Sequence, residues 1–342
     1  MPPYPIGEVN VDKRLEPVSW GVLGVANIGT TKVIPAMQRS NVSRVDAIAS
    51  RSRQRAESAA SQLGISRSYG SYEELLADPD IEAVYIPLPN HLHLEWARAA
   101  ARAEKHVLCE KPLAMTSADA RTMVEACDEA GVLLMEAFMY RLHPLWLKAK
   151  ELVDAGTIGE LRSVQTAFSY FNDDPNNIRN IPEVGGGALY DIGCYAVNAA
   201  RFLFGSEPTA VRGAVRRDPE LGTDVVTSAL LDFEGGHSTF VCSTQMEPDQ
   251  RVVAHGTDGR IVIEIPFNLP PDIPTRLLLM AGGDPPVSPH VEIHEFPPSD
   301  PYTIQADAFS LAVRQGEPAP LPASDAVANL EVIERIFADA DL

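Results

Sequence analysis

Val18-Ser19-Trp20-Gly21-Val22-Leu23-Gly24-Val25-Ala26-Asn27-Ile28-Gly29 is the stretch that decides the fold. From Val18 to Val25 it is almost continuously apolar, the pattern of a strand buried on both faces. It ends in Gly24-x-Ala26-x-x-Gly29, a dinucleotide fingerprint with alanine at the second glycine. Glycines here permit a tight turn and let a pyrophosphate approach the backbone at the N-terminus of the next helix. An ordinary glycine-containing strand-to-helix turn gives the same six residues, so the reading depends on the surrounding sequence.

Outward from this stretch, short apolar runs recur at Val45–Ala49, Ala83–Leu88, His106–Cys109 and Val132–Glu136. Helix-like segments alternate with them at Arg53–Leu63, His93–Ala103 and Ser117–Ala130, the last with Thr116 or Ser117 at its start and Gly131 at its stop. This alternation predicts a doubly wound parallel sheet, an α/β Rossmann domain over residues 18–145. After about residue 150, strands are expected at Leu161–Phe171, Ala210–Val215, Val225–Phe233, Ser238–Thr244, Val252–His255 and Arg260–Ile265. A helix at Ala188–Phe204 interrupts them, and another is expected at Ser324–Ala338 with Ser324 as its N-cap. Residues 146–342 therefore read as an α+β domain on an open-faced, largely antiparallel sheet, whose last helix is free to pack back on the first domain. Residues 1–17 read as an N-terminal arm. The Pro- and Gly-rich stretch Pro266–Pro301 reads as a surface excursion.

The 342 residues carry 28 Lys+Arg against 47 Asp+Glu, a formal charge of −19. That balance argues against nucleic acid and anionic lipid as partners. No apolar run approaches the ~18–20 residues of a membrane span, and no signal peptide is visible. Cys109, Cys127, Cys194 and Cys242 are scattered, which predicts reduced thiols in a cytoplasmic protein and no metal site. The charge is uneven. Residues 151–342 carry −18, whereas residues 21–70 hold seven Lys/Arg against two Asp/Glu. A small anionic cofactor would be placed on that basic island.

Its position in the chain sharpens the point. About 20 residues past the glycines, NAD sites carry a carboxylate for the ribose 2′-hydroxyl. This sequence has Ser50-Arg51-Ser52, with Arg53 and Arg55 following. Hydroxyls and guanidinium donors suit a 2′-phosphate, so NADP is preferred over NAD. A solvated arginine run opening a helix is the other reading. Two more segments follow strands at the edge where such sheets bind ligands: Pro87-Leu88-Pro89-Asn90-His91-Leu92-His93 and Cys109-Glu110-Lys111-Pro112. A lysine followed by proline cannot simply extend a strand, which points Lys111 toward the crevice or leaves it in a surface turn. Finally, Gly185-Gly186-Gly187-Ala188-Leu189-Tyr190-Asp191-Ile192-Gly193-Cys194-Tyr195 places Asp191 and Tyr195 four residues apart, on one helix face. A tyrosine can relay a proton to a hydroxyl under oxidation, helped by a nearby ammonium. It can equally be a packing residue.

Taken together, the glycine turn, Pro89-Asn90-x-x-His93, Glu110-Lys111-Pro112 and the Gly185–Tyr195 motif resemble the Gfo/Idh/MocA oxidoreductases. The similarity is greatest to the branch with glucose–fructose oxidoreductase, NADP-dependent D-xylose dehydrogenases and dimeric dihydrodiol dehydrogenase. It implies Lys111, Tyr195 and Asp191 as the catalytic group, with Tyr195 as acid/base. It implies a cofactor site at Gly24, Ala26, Asn27, Ile28, Gly29, Ser50, Arg51, Ser52, Arg55, Pro89, Asn90, His93, Glu110 and Lys111. Arg141, His143 and Arg179 would flank the substrate. The expected activity is NADP-dependent hydride exchange with a sugar or polyol hydroxyl, an aldose 1-dehydrogenase of xylose or glucose type first. A keto-sugar or anhydrosugar reductase, a trans-dihydrodiol dehydrogenase and an NADP-sensing regulator are the alternatives. The resemblance also implies a homodimer or homotetramer through the open sheet face.

Overall fold

The computed structural model describes residues 16–284 and 288–341, so most of the expected N-terminal arm lies outside the described residues. The chain divides into two compact units: one runs to Met139 and resumes at Pro301–Val327, the other comprises Tyr140–Asp300 and the chain from Ala328.

In the first unit, β1 (Val18–Leu23) leads through a π-helical turn at Gly29–Val33 into α1 (Ile34–Met37). There follow β2 (Ser43–Ala49), α2 (Arg53–Leu63), β3 (Arg67–Tyr69), α3 (Tyr72–Leu76), β4 (Ala83–Ile86), α4 (His93–Arg102), β5 (His106–Cys109), α5 (Ser117–Ala130) and β6 (Leu134–Glu136). The six strands are all parallel, in the order β3-β2-β1-β4-β5-β6. Strand order reverses at β1/β4, and an open sheet of this kind binds ligands in the crevice beyond the carboxyl ends there. Burial explains the uninterrupted apolar runs: Val18, Trp20, Val22 and Leu23 are all fully buried. Helix starts follow local chemistry. The hydroxyls of Ser52, Ser71 and Thr116 accept the backbone N–H three residues on, each cap contributing about 1 kcal/mol.

The second unit contains α6 (Pro144–Asp154), β7 (Leu161–Phe171), a π-helical turn at Leu189–Gly193 running into α7 (Cys194–Phe204), and then seven strands. These are β8 (Ala210–Arg217), β9 (Asp224–Phe233), β10 (Gly236–Ser243), β11 (Gln245–Gly256), β12 (Gly259–Ile263), β13 (Thr275–Asp284) and β14 (Ser288–Phe296). With β7 they form one eight-stranded sheet, ordered β14-β13-β12-β11-β7-β10-β9-β8, antiparallel except at β7/β10. The fold is thus the α/β Rossmann sheet plus α+β open-faced sheet that the sequence predicts. Two helices close the chain: α8 (Pro301–Gln315) and α9 (Ala323–Ala340). α8 belongs to the first unit, where Ser310 accepts the Trp20 indole N–H at 3.0 Å and Phe309 tilts against Trp20. No described helix is long and apolar enough to cross a membrane.

Two local expectations fail, and two helices were not expected. Pro266–Pro301 is not an excursion, because it contains β13 and β14, whose alternation (Thr275, Leu277 and Leu279 buried) is masked by flanking prolines and glycines. Ser324 lies inside α9 rather than at its cap. The helices α6 and α8 have no sequence expectation, because each opens on a proline that punctuates the reading while suiting a first helical turn.

Candidate active site

On the first unit, the turn after β1 is held by conformation and by contact. Gly24 has φ +125°, and a Cβ there would lie 2.9 Å from Leu88 Cδ2. Its N–H donates to Ala49 O at 2.9 Å, joining the ends of β1 and β2. Ala26 accepts the Thr30 N–H at 3.0 Å and Asn27 is exposed at the head of the π turn with Ile28. Gly29 packs toward Pro87, with 3.4 Å available to an added Cβ. Beyond β2, Ser50 is buried and its hydroxyl accepts the Ser52 N–H at 3.2 Å. Arg51 is exposed beside Tyr72. Arg55 reaches back to donate to Val25 O at 3.3 Å, tying α2 to the glycine turn. Arg53 is taken by Glu74 at 2.8 Å. Ser50, Arg51 and Ser52 thus form a hydroxyl-and-guanidinium set without a carboxylate, which fits a phosphorylated ribose.

The two segments after β4 and β5 are tied together by buried bonds. Tyr85 donates to Glu110 Oε1 at 2.5 Å, and Glu110 Oε2 accepts the Lys111 N–H at 3.4 Å. Burial pushes the Tyr85 phenol well above its ordinary range, so it stays a donor. Leu113 N–H donates to Glu136 Oε1 at 2.7 Å, and the Lys111–Pro112 peptide is cis. Pro89 and Asn90 open the short helical turn into α4, with Asn90 half-buried.

His93, expected at the nicotinamide end, stands at the first position of α4. It is fully buried, with Nε2 2.7 Å from Leu88 O and Nδ1 3.0 Å from Pro112 O and 3.2 Å from Leu113 O. Burial lowers its pKa. The ring therefore staples the segments carrying Asn90 and Lys111.

On the second unit, the glycine triplet is explained by what presses on it. Gly187 has φ +122°, and an added Cβ would lie 2.0 Å from Asp224 Oδ1. The other oxygen of that buried carboxylate accepts the Leu189 N–H at 2.7 Å and the Thr227 hydroxyl at 2.8 Å. An added Cβ at Gly186 would strike Arg179 O at 2.7 Å, and the Gly187 N–H donates to the same carbonyl. The segment bearing Arg179 is thereby laid across the start of the helix that carries Asp191 and Tyr195. Asp191 Oδ2 accepts the Arg179 Nε–H at 3.1 Å and the Tyr170 hydroxyl at 2.5 Å. Asp191 raises the Arg179 pKa despite burial, and burial, with Asp191 adding, raises that of Tyr170.

One turn on, Tyr195 is 6% exposed among Phe267, Phe168 and Tyr140, with ring centroids at 5.1, 5.6 and 5.7 Å. Behind it, Asn198 Oδ1 accepts the Tyr140 hydroxyl at 2.6 Å and Arg141 Nη1–H at 3.0 Å, and the Arg141 guanidinium sits 4.1 Å from the Phe202 ring centroid. His143 is fully buried. Its Nδ1 accepts the Leu145 N–H at 3.2 Å as the N-cap of α6, and burial lowers its pKa to about 4. It is placed to hold the start of α6.

The structure thus brings Asp191 to Arg179, and brings His93 to the Pro112 and Leu113 carbonyls that follow Lys111. Tyr85, Tyr170, Asn198 and Asp224 belong to these networks and have no sequence expectation.

Residues 18–138 match the GFO_IDH_MocA model, described as an oxidoreductase family with an NAD-binding Rossmann fold, and residues 146–262 match the GFO/IDH/MocA C-terminal domain. The chain is 44% identical to the oxidoreductase ORF334 of Rhizobium meliloti, covering 95% of this chain and 97% of that one. It is 40% identical to D-xylose 1-dehydrogenase (NADP(+)) 2 of Haloferax volcanii, covering 94% and 97%. Among solved structures it resembles KijD10, a 3-ketoreductase from Actinomadura kijaniata in complex with NADP and TDP-benzene. That match has a TM-score of 0.87 and 30% identity, covering 94% of this chain and 98% of the other.

Proposed function

Since the chain belongs to the Gfo/Idh/MocA oxidoreductase family, we propose that it is an NADP-dependent enzyme interconverting a sugar or polyol hydroxyl and its carbonyl. The first substrate class is an aldose of xylose or glucose type, oxidised at its anomeric carbon. One observation carries the chemistry: Asp191, held by Arg179, stands one helical turn from Tyr195 in an aromatic surround. When bound, the nicotinamide supplies a two-electron acceptor and donor. Gly24, Ala26, Asn27, Ile28 and Gly29 would hold its pyrophosphate, Ser50, Arg51, Ser52 and Arg55 its 2′-phosphate, and Pro89, Asn90 and Glu110 the nicotinamide end.

The chain's own residues supply the rest. Tyr195 exchanges the hydroxyl proton at its phenolic oxygen. Lys111 supplies an ammonium group for the substrate hydroxyl. Asp191 and the guanidinium groups of Arg179 and Arg141 fix the remaining hydroxyls. His93 and His143 hold the backbone that presents these groups. The four cysteines are buried and none is in a disulfide among the described residues, in keeping with work in the cytoplasm.

The open face of the second unit's sheet serves self-association. Leu230, Thr239, Gln165, Val253, Val262, Leu278 and Ile293 stand in register across seven strands, none of them fully buried. Such a row is covered in a homodimer or homotetramer.

The deciding experiment follows NADP reduction with aldoses, polyols and dihydrodiols, and NADPH oxidation with keto-sugars, each with NAD(H) in parallel. An aldose is expected to be oxidised with NADP preferred. Lys111→Ala is expected to lose roughly 10²–10⁴-fold in turnover while NADP affinity stays within a few-fold. Normal turnover by that variant refutes the mechanism, and equal use of NAD and NADP refutes the role of Ser50 and Arg51. Binding of NADP without turnover of any substrate points to a sensor.

A further inference from the structure

The Asp191 carboxylate is held from two directions by parts of the chain far apart in sequence. Arg179 reaches it from the turn Ile178–Asn180, and Tyr170 from the end of β7, both meeting Oδ2. The side chain of Asp191 is only 14% exposed, so water is a limited source of stabilisation for its charge. A phenol 2.5 Å from a carboxylate oxygen is a charge-assisted bond, among the stronger kinds in proteins. Packing alone does not call for that hydroxyl, since phenylalanine would fill the same space.

We propose that Tyr170 is a positioning residue whose hydroxyl, together with Arg179, keeps the Asp191 carboxylate charged and turned toward the substrate hydroxyls. The inference rests on the reading of Asp191 as a substrate-handling group. The other groups around Asp191 do not replace this bond. Cys242 of β10 is an uncharged thiol raised by burial, and Asp224 of β9 is already engaged with Leu189 and Thr227. On its own helix and the one it runs into, Cys194 directs its thiol to the Asp191 backbone carbonyl, and Tyr195 lies in its aromatic surround. Arg179 is a cation that faces the carboxylate, at 3.1 Å from Oδ2. Because burial keeps the Tyr170 phenol protonated, it acts as a fixed donor and leaves proton exchange to Tyr195.

The test titrates full-length protein labelled with [γ-¹³C]aspartate, the Asp191 signal being assigned by its loss in Asp191→Asn. In Tyr170→Phe, removal of one charge-assisted donor is expected to raise the Asp191 pKa by about one unit. With 3-fluorotyrosine at position 170, a stronger donor of nearly the same size, the pKa is expected to move the other way. In kinetics, Tyr170→Phe is expected to raise KM for the sugar about ten-fold and to move the acidic limb of kcat/KM upward in step. The NADP Kd is expected to stay put, the unfolding midpoint to fall by only the roughly 3–6 °C that one pKa unit entails, and the kinetic effect to disappear in an Asp191→Asn background. An unchanged Asp191 pKa in both Tyr170 variants overturns the proposal, whatever the enzyme turns over. A moved pKa with no sugar turned over upholds the tether and overturns the functional reading instead.

Discussion

Replacing Gly187 by alanine tests how the second unit builds its site. Two costs are legible. An L-residue at φ +122° is strained by roughly 1–3 kcal/mol. In addition, the new Cβ would lie 2.0 Å from Asp224 Oδ1, well inside any contact a methyl accepts. Asp224 must then move, loosening its bonds to the Leu189 N–H and the Thr227 hydroxyl, at about 1–3 kcal/mol for each buried partner left wanting. The expected loss is on the order of 3–9 kcal/mol. For a unit of this size that is roughly 2–4 °C per kcal/mol, or about 6 °C or more in Tm. Gly64→Ala is the control, since it too has a positive φ (+68°, in the left-handed helical region) but open space around the added methyl, and should cost only about 1 kcal/mol. Differential scanning calorimetry compares the two, with kcat measured alongside. Displacing the first turn of the helix moves Asp191 and Tyr195 together, so kcat is expected to fall at least about ten-fold in Gly187→Ala. A Gly187→Ala protein melting within a few degrees of the Gly64→Ala control would refute the account of the triplet.

Two further outcomes are expected. His143 titrates near 4 in the folded chain and near its ordinary value of 6.5 when unfolded, so the unfolded state binds the extra proton in that window. Its contribution to stability is complete above about pH 6.5 and is lost as pH falls toward 4, by up to about 1.4 kcal/mol per unit. His143→Asn keeps a capping side chain for α6 and should flatten that stretch of the urea-midpoint-against-pH curve; an identical curve counts against the assignment. On the open sheet face, Leu278→Glu with Val262→Glu is expected to lower the mass seen by light scattering to that of one chain. A wild-type protein already at single-chain mass would disprove self-association there.

The parallel sheet was readable because its central strands β1 and β4 are buried on both faces and so are almost wholly apolar, whereas β3, Arg67-Ser68-Tyr69 at the edge, is half-buried and gave no such signal. The glycine turn, Ser50-Arg51-Ser52 and the Asp191/Tyr195 spacing were equally readable, because each depends on neighbours within a few residues. The β13–β14 hairpin was not. Its strands are half-buried and framed by prolines, and their alternation becomes meaningful only beside β12. Residue roles divide in the same way. His93 looks in sequence like a ligand-facing histidine, yet three carbonyls from two loops enclose it.

What the sequence alone determined was local. Periodicity set the elements, turn chemistry set their ends, and the charge distribution placed a basic island in the Rossmann half. Tertiary structure decided which polar groups are partners, because burial and hydrogen bonding join residues remote in the chain. Only folding brings Tyr170 to Asp191, 21 residues on, and Asp224 beneath Gly187. A carboxylate's charge and direction depend on those neighbours, so the chemistry of Asp191 is settled by the fold and not by its motif.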